Sequence, residues 1–213
     1  MVDSSFYNNK GPYNLGKISE FIQCEFIGDK DKIIYDIAPA ETAKQKEICF
    51  ISEKYKESYL QSKAGAFIIT KCFVPKDNKN ILISSNPHFE MAKVASLFYP
   101  ESIYPNFFFS ENEKINNIDK SIKVSDSSFI HKNATIGKNC EIGHNSIIGP
   151  GVIIGKNCLI GDNVSIYFSK IGEDVKIYQG VKLGSEGFGF VMNKNLFKKI
   201  PQLGRVIIGN CVE

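Results

Sequence analysis

The sequence predicts a β-rich chain: a parallel β-helix of hexapeptide repeats preceded by a small α/β domain. Three observations carry this reading. An aliphatic residue returns at every sixth position, at Val124, Ile130, Ile136, Ile142, Ile148, Ile154, Ile160 and Ile166; the interval then shortens once to five and resumes at Ile171, Ile177 and Leu183. Glycine directly follows seven of these anchors, and a small or β-branched residue precedes each anchor from Ile130 to Ile166 by two positions (Ser128, Ala134, Cys140, Ser146, Val152, Cys158, Val164). Residues 1–100 lack the six-fold beat and read as mixed α/β.

A period of six fits neither an α-helix nor one long strand. It fits a coil of three short flat sides, each using one hexad, and such repeats are the signature of a parallel β-helix. Strand side chains alternate, so the anchor and the small residue two positions before it share the inward face. The glycines and the dipeptides Lys138-Asn139, Lys156-Asn157 and Asp162-Asn163 are expected at corners, where positive φ is cheap. Cys140 and Cys158 stand one full coil apart and are expected to stack as small buried thiols.

Ahead of the repeats, Ile18, Phe21 and Ile22 have helical spacing, and Glu47–Ser52 reads as a strand. A polar helix is expected over Glu53–Lys63, with further strands at Ala66–Thr70 and Ile81–Ile83. Ser85-Asn86-Pro87 opens a helix with a capping residue and an early proline. The expected organisation is a small α/β domain over 1–100, a connection over 101–117, and the solenoid over 118–213 with a loop insertion at 185–205. The aromatic run Phe107-Phe108-Phe109 in the connection reads either as a cover for the open end of the solenoid or as an acyl-chain contact. The insertion interrupts coils that otherwise stack, and long loops of that kind are often functional. With Ile208 as an anchor the next falls at position 214, so the array is expected to run on past Glu213.

Composition narrows the function. A net charge of +3 with dispersed lysines gives no electrostatic footprint for nucleic acid. No apolar run approaches the ~20 residues of a membrane span, and Met1–Ser5 lacks the features of a signal peptide, so a cytoplasmic location is expected. The six cysteines form no CxxC pair, and the three histidines, His88, His131 and His144, lack metal-ligand spacing.

The segments ICFISEKY (48–55), AGAFII (64–69), SNPHFEMAK (85–93), GFGF (187–190) and KIPQLGRVIIGNCVE (199–213), together with the hexads, resemble the UDP-3-O-(3-hydroxyacyl)glucosamine N-acyltransferases of lipid A biosynthesis. The repeats alone are shared by many acyltransferases; GFGF followed at this separation by KIPQLGRVIIG is far more specific. The resemblance implies a left-handed β-helix and a front domain that sandwiches uracil between two aromatic rings, carried over as Phe50 and Tyr55. The family usually has an asparagine between the pair and one more residue in the spacing; Glu53 stands at the matching place and leaves the base-edge contact open. Gly187, Phe188, Gly189 and Phe190 carry over as substrate-binding residues.

The implied reaction moves a 3-hydroxyacyl group from acyl carrier protein to the 2-amino group of UDP-3-O-acylglucosamine, in a homotrimer and without a metal or organic cofactor. A histidine is the implied general base; the resemblance places it beyond Glu213, and none of His88, His131 or His144 matches it. His144, two residues after its anchor, is expected at a solvated corner, and His88 on the surface. Two other readings stay open: a non-catalytic uridine-nucleotide-binding and scaffold fragment, and an acetyl-coenzyme A-dependent sugar acetyltransferase, which predicts neither the aromatic pair nor the GFGF loop.

Overall fold

The computed structural model describes residues 2–75, 79–103, 105 and 109–213. The chain forms two compact units, one of Met1–Pro105 with Phe188–Leu203, the other of Asn106–Gly187 with Gly204–Glu213. Phe107 and Phe108 of the aromatic run lie outside the described residues.

The first unit runs β1 (Tyr13–Asn14), α1 (Leu15–Ile22), β2 (Glu25–Ile27), β3 (Ile33–Ile34), β4 (Asp36–Ile37), β5 (Glu47–Phe50), α2 (Lys56–Gln61), β6 (Ala66–Thr70), β7 (Ile81–Ser84) and α3 (Pro87–Phe98). Its five-stranded sheet has the order β2-β7-β6-β5-β4; β4 to β7 run parallel and β2 antiparallel to β7. Side-chain alternation feeds two cores. Ile48, Ile68 and Leu82 pack with Leu15 and Ile18 of α1 and Val94 and Phe98 of α3, whereas Cys49, Phe67 and Ile69 face Tyr59 of α2. Asn14 caps α1 by accepting from the Lys17 amide at 2.8 Å, and α1 ends where Gln23 turns left-handed at φ 57°.

The expected helix over Glu53–Lys63 is broken. Glu53–Tyr55 is a 3-10 turn, and Tyr55, at φ −119° and ψ 39°, leaves helical geometry before α2 begins.

The second unit is a left-handed parallel β-helix with three four-stranded parallel sheets, one per side. Ile142 pairs with Ile160 and Ile148 with Ile166, partners 18 residues apart. After the single five-residue step the partners are 17 apart, as in Ile160 with Ile177 and Ile166 with Leu183. The short corner sets Phe168 at φ 43°. Ile171 then pairs with Ile208, so the insertion leaves the register of the third side intact. The anchors and the small residues before them fill one continuous core. Cys140 and Cys158 lie in it as free thiols, donating to the carbonyls of Gly155 and Gly172 at 3.0 and 3.2 Å, and burial raises the pKa of Cys158.

The corners correct the expected role of glycine. Among the glycines after anchors only Gly184 has positive φ; Gly151 and Gly180 have it at corners, and it falls also on Asn139, Asn145, Asn157, Asn163 and Asp174. These residues also bond coil to coil: the Asn139 side-chain amide donates to Asn157 Oδ1 (3.2 Å), and Asn157 in turn to Asp174 Oδ1 (3.0 Å). The glycines after the anchors answer a different demand, close approach. A Cβ on Gly155 would lie 2.5 Å from the Gly172 carbonyl oxygen of the neighbouring coil.

The insertion is an antiparallel hairpin, Phe190–Asn193 with Leu196–Lys199, and it packs within the first unit. Val191 and Ile200 sit on Phe89 and Ala92 of α3. Asn86 at the start of α3 donates its side-chain amide to the Met192 carbonyl at 2.9 Å, and Lys199 Nζ reaches the Ile103 carbonyl at 3.0 Å.

Gly155→Ala is expected to destabilise the β-helix by about 1–3 kcal/mol through backbone overpacking, and Ile148→Ala by about 2–5 kcal/mol through a core cavity. Urea unfolding followed by circular dichroism checks both.

Candidate functional site

Strands β5, β6 and β7 point the same way, so Phe50, Thr70 and Ser84 end along one edge of the sheet. The carboxyl edge of parallel strands is where open α/β sheets place their ligands. The loops that follow bring chemistry to that edge: Ser52–Tyr55 after β5, Lys71–Phe73 after β6, and Ser85–His88 after β7.

Phe50 is half-buried and packs its inner side on the α1/α3 core. His88 stacks on its ring, with centroids 5.0 Å apart and planes 8° from parallel. The imidazole is held there by the opening of α3. The Asn86 amide donates to Ser84 Oγ (2.9 Å), Asn86 Oδ1 accepts from the Phe89 amide (3.1 Å), and Pro87 fixes the first turn. His88 is exposed, as expected, yet it belongs to this edge. The sequence signal for it was limited to its place just after an expected strand; the sheet order that brings it to Phe50 is seen only in the structure.

Tyr55 lies at the end of the 3-10 turn, 59% exposed, with Lys54 Nζ 5.6 Å from its ring centre. Glu53 is exposed too, paired with Lys56 at 3.3 Å and accepting from Cys72 Sγ at 3.7 Å. The edge therefore offers a stacking platform at Phe50, a second solvated ring at Tyr55 and a carboxylate at Glu53.

The GFGF segment straddles the two units, Gly187 in the second and Phe188–Phe190 in the first. Phe188 is 95% exposed and tilts against Phe190, with centroids 4.9 Å apart. A Cβ on Gly189 would lie 2.7 Å from Gln202 Nε2, the end of a flexible side chain that can shift to admit it.

The remaining histidines are in the second unit. His144 is exposed beside a cavity of about 740 Å3. Ser125 Oγ lies 2.6 Å from its Nδ1, but Asp162 accepts from the His144 backbone amide and not from the ring. A serine–histidine–carboxylate relay needs the carboxylate on the imidazole, so this cluster is not one.

His131 is buried. Its Nδ1 accepts from the Asn133 amide at 3.1 Å, its Nε2 lies 3.9 Å from Glu113 Oε1, and Phe109 stands edge-on to it at 5.2 Å. Phe109 also stacks on Phe129 at 5.6 Å. This part of the aromatic run is thus a cover on the first coils. Burial lowers the pKa of His131, opposed by Glu113. Among the described residues no group of three or more His, Cys, Asp or Glu is placed to hold a metal ion, and no helix is long and apolar enough to cross a membrane.

Aromatic rings along one strand edge of a small α/β unit, joined to a hexapeptide β-helix, define the class: a hexapeptide-repeat protein with an N-terminal α/β unit. Comparison with known proteins narrows it. Residues 31–97 match the family model described as UDP-3-O-(3-hydroxymyristoyl) glucosamine N-acyltransferase, LpxD, and residues 121–156 match the bacterial transferase hexapeptide model of six repeats. The chain is similar to proteins named UDP-3-O-acylglucosamine N-acyltransferase: 43% identical to that of Rickettsia conorii over 100% of this chain and 64% of the relative, and 43% to that of Rickettsia bellii over 100% and 65%. Identity with the Granulibacter bethesdensis protein is 38%, over 99% of this chain and 63% of the relative. The chain is similar along its whole length to proteins of this name and spans a little under two thirds of their length.

The depressed pKa of His131 has a sign that experiment can read. Folding favours its neutral form, so its contribution is complete above the unfolded value near 6.5 and declines as the pH falls below it towards the lower folded value. Thermal melts between pH 7.5 and 5 are expected to show falling stability, with a shallower slope in His131→Gln.

Proposed function

We propose that the whole protein is an N-acyltransferase that moves a 3-hydroxyacyl group from acyl carrier protein to the 2-amino group of UDP-3-O-acylglucosamine. The observation that carries this is the similarity along the full chain to proteins named for that acyl acceptor. In this reading the first unit is the uridine grip. The uracil stacks on Phe50, where the imidazole of His88 marks a face that accepts a flat ring, and Tyr55 closes from the solvent side. Glu53 stands at the base edge in place of the family's asparagine.

Gly187–Phe190 form the second substrate-binding segment. The β-helix is the scaffold, assembled as a homotrimer in the cytoplasm, with no metal or organic cofactor in the reaction. The transfer breaks the thioester and forms an amide, the amine proton passing to a general base; that role is assigned to none of His88, His131 or His144.

Titration of the chain with UDP, followed by calorimetry, tests the grip. Loss of base–aromatic stacking worth ~1–3 kcal/mol predicts a drop in affinity of roughly 5- to 150-fold in Phe50→Ala. His88→Ala, which removes a competing ring, is expected to leave affinity unchanged or tighter. UDP affinity equal in wild type and Phe50→Ala would refute the assignment of this edge.

A further inference from the structure

The sheet of the first unit has a second edge, at the amino ends of its parallel strands and opposite the one that holds Phe50. The segments leading into β4, β5, β6 and β7 meet there. Residues 35–36, 44–47, 62–64 and 79 line a cavity of about 850 Å3, a volume that suits a small ligand.

Hydrogen bonds tie these walls together. The Tyr35 amide donates to the Lys46 carbonyl (2.8 Å), the Glu47 amide to the Lys44 carbonyl (2.9 Å) and the Gly65 amide to the Glu47 carbonyl (2.9 Å). The Asn80 side-chain amide holds the Gly65 carbonyl at 2.9 Å. The cavity is therefore preformed, and a ligand spends little on ordering it.

Its carboxylates and its cations do not pair with one another. Asp36 accepts from the Tyr99 hydroxyl at 2.6 Å and the Ile37 amide at 2.8 Å. Glu47 is only 6% exposed; its Oε2 accepts from the Lys44 amide at 2.7 Å, and its Oε1 has no partner among the described residues. The ammonium groups of Lys44 and Lys63 have none either, and Lys46 Nζ lies 4.8 Å from the centre of the Tyr35 ring. Lys79 is drawn inward, 4.2 Å from the centre of the Tyr59 ring. Several cations without counter-ions call for a multiply charged anion, and an ammonium is a point charge suited to phosphate. A buried carboxylate oxygen calls for a donor on the same molecule, which a bare ion in its fully ionised form lacks. Tyr35 and the lysine stems give the space between an apolar wall.

We propose that this cavity binds a small phosphate monoester that carries hydroxyl groups, a sugar phosphate in chemical class, with the phosphate among Lys44, Lys46 and Lys63 and a hydroxyl donating to Glu47. The site is on the opposite edge of the sheet from the uridine grip and does not depend on that reading.

Calorimetric titration of the full chain with glucose 6-phosphate, glucose, inorganic phosphate and succinate is the test. Glucose 6-phosphate is expected to bind, glucose to give no heat, and phosphate and succinate to bind roughly tenfold more weakly for want of the hydroxyl contact. Lys44→Gln and Lys63→Gln are surface changes that leave the fold intact; each is expected to weaken glucose 6-phosphate by about two- to fivefold, and added salt to weaken it further. Glu47→Gln keeps an oxygen for the Lys44 amide and is expected to narrow the preference for glucose 6-phosphate over inorganic phosphate. Saturating uridine, which has no phosphate, should displace nothing. Absence of glucose 6-phosphate binding, succinate binding as tight, an affinity unmoved in the Lys44→Gln, Lys63→Gln double variant, or displacement by uridine overturns the proposal.

Discussion

A strand of two or three residues has no stability of its own, and the β-helix is made almost wholly of such strands. What sustains them is hydrogen bonding from coil to coil: the amides of Thr135, Glu141 and Ile147 donate to the carbonyls of Val152, Cys158 and Val164 at 2.8 to 2.9 Å. That ladder requires each coil to stack on the next at nearly constant chain separation. The buried aliphatic columns, the asparagine ladder at one corner and the glycines that let backbones approach are all consequences of that one spacing. Ser128 and Ser146 show how closely it is held. Each lies inside the core column, yet each hydroxyl finds a carbonyl of the neighbouring coil, Gly143 and Gly161, at 2.5 and 2.7 Å.

The repeats were legible because the constraint that builds them acts at fixed sequence distance. Anchors such as Ile142 and Ile160, the stacked thiols Cys140 and Cys158, and the single five-residue step could all be read from spacing. Reasons were less legible than positions. Gly155 occupies a crowded contact between coils rather than a left-handed turn, and nothing in a single hexad separates those two uses of glycine. The break at Tyr55 was hidden because its polar neighbours continue a helical pattern across it.

Contacts between distant segments were the least legible. His88 meets Phe50 only because β6 holds β5 and β7 in one sheet. The hairpin seats on α3 through pairs as far apart as Asn86 and Met192, and no local pattern announces that. The motifs of the candidate site were thus visible as segments, while the way they combine on the first unit was not. Phe50 and the GFGF segment came from resemblance; the imidazole on Phe50 came from coordinates.

The return of the chain to register after the insertion bears on how such a protein can lengthen. Ile171 finds Ile208 across a gap of 37 residues where its neighbours find partners across 17 or 18. Closing a loop of twice the length costs only about 0.6 kcal/mol more, a sum the buried contacts of a hairpin can offset. A solenoid therefore tolerates extra chain wherever a corner faces outward, and this chain has used one such corner to give the preceding unit a structural piece encoded almost a hundred residues downstream.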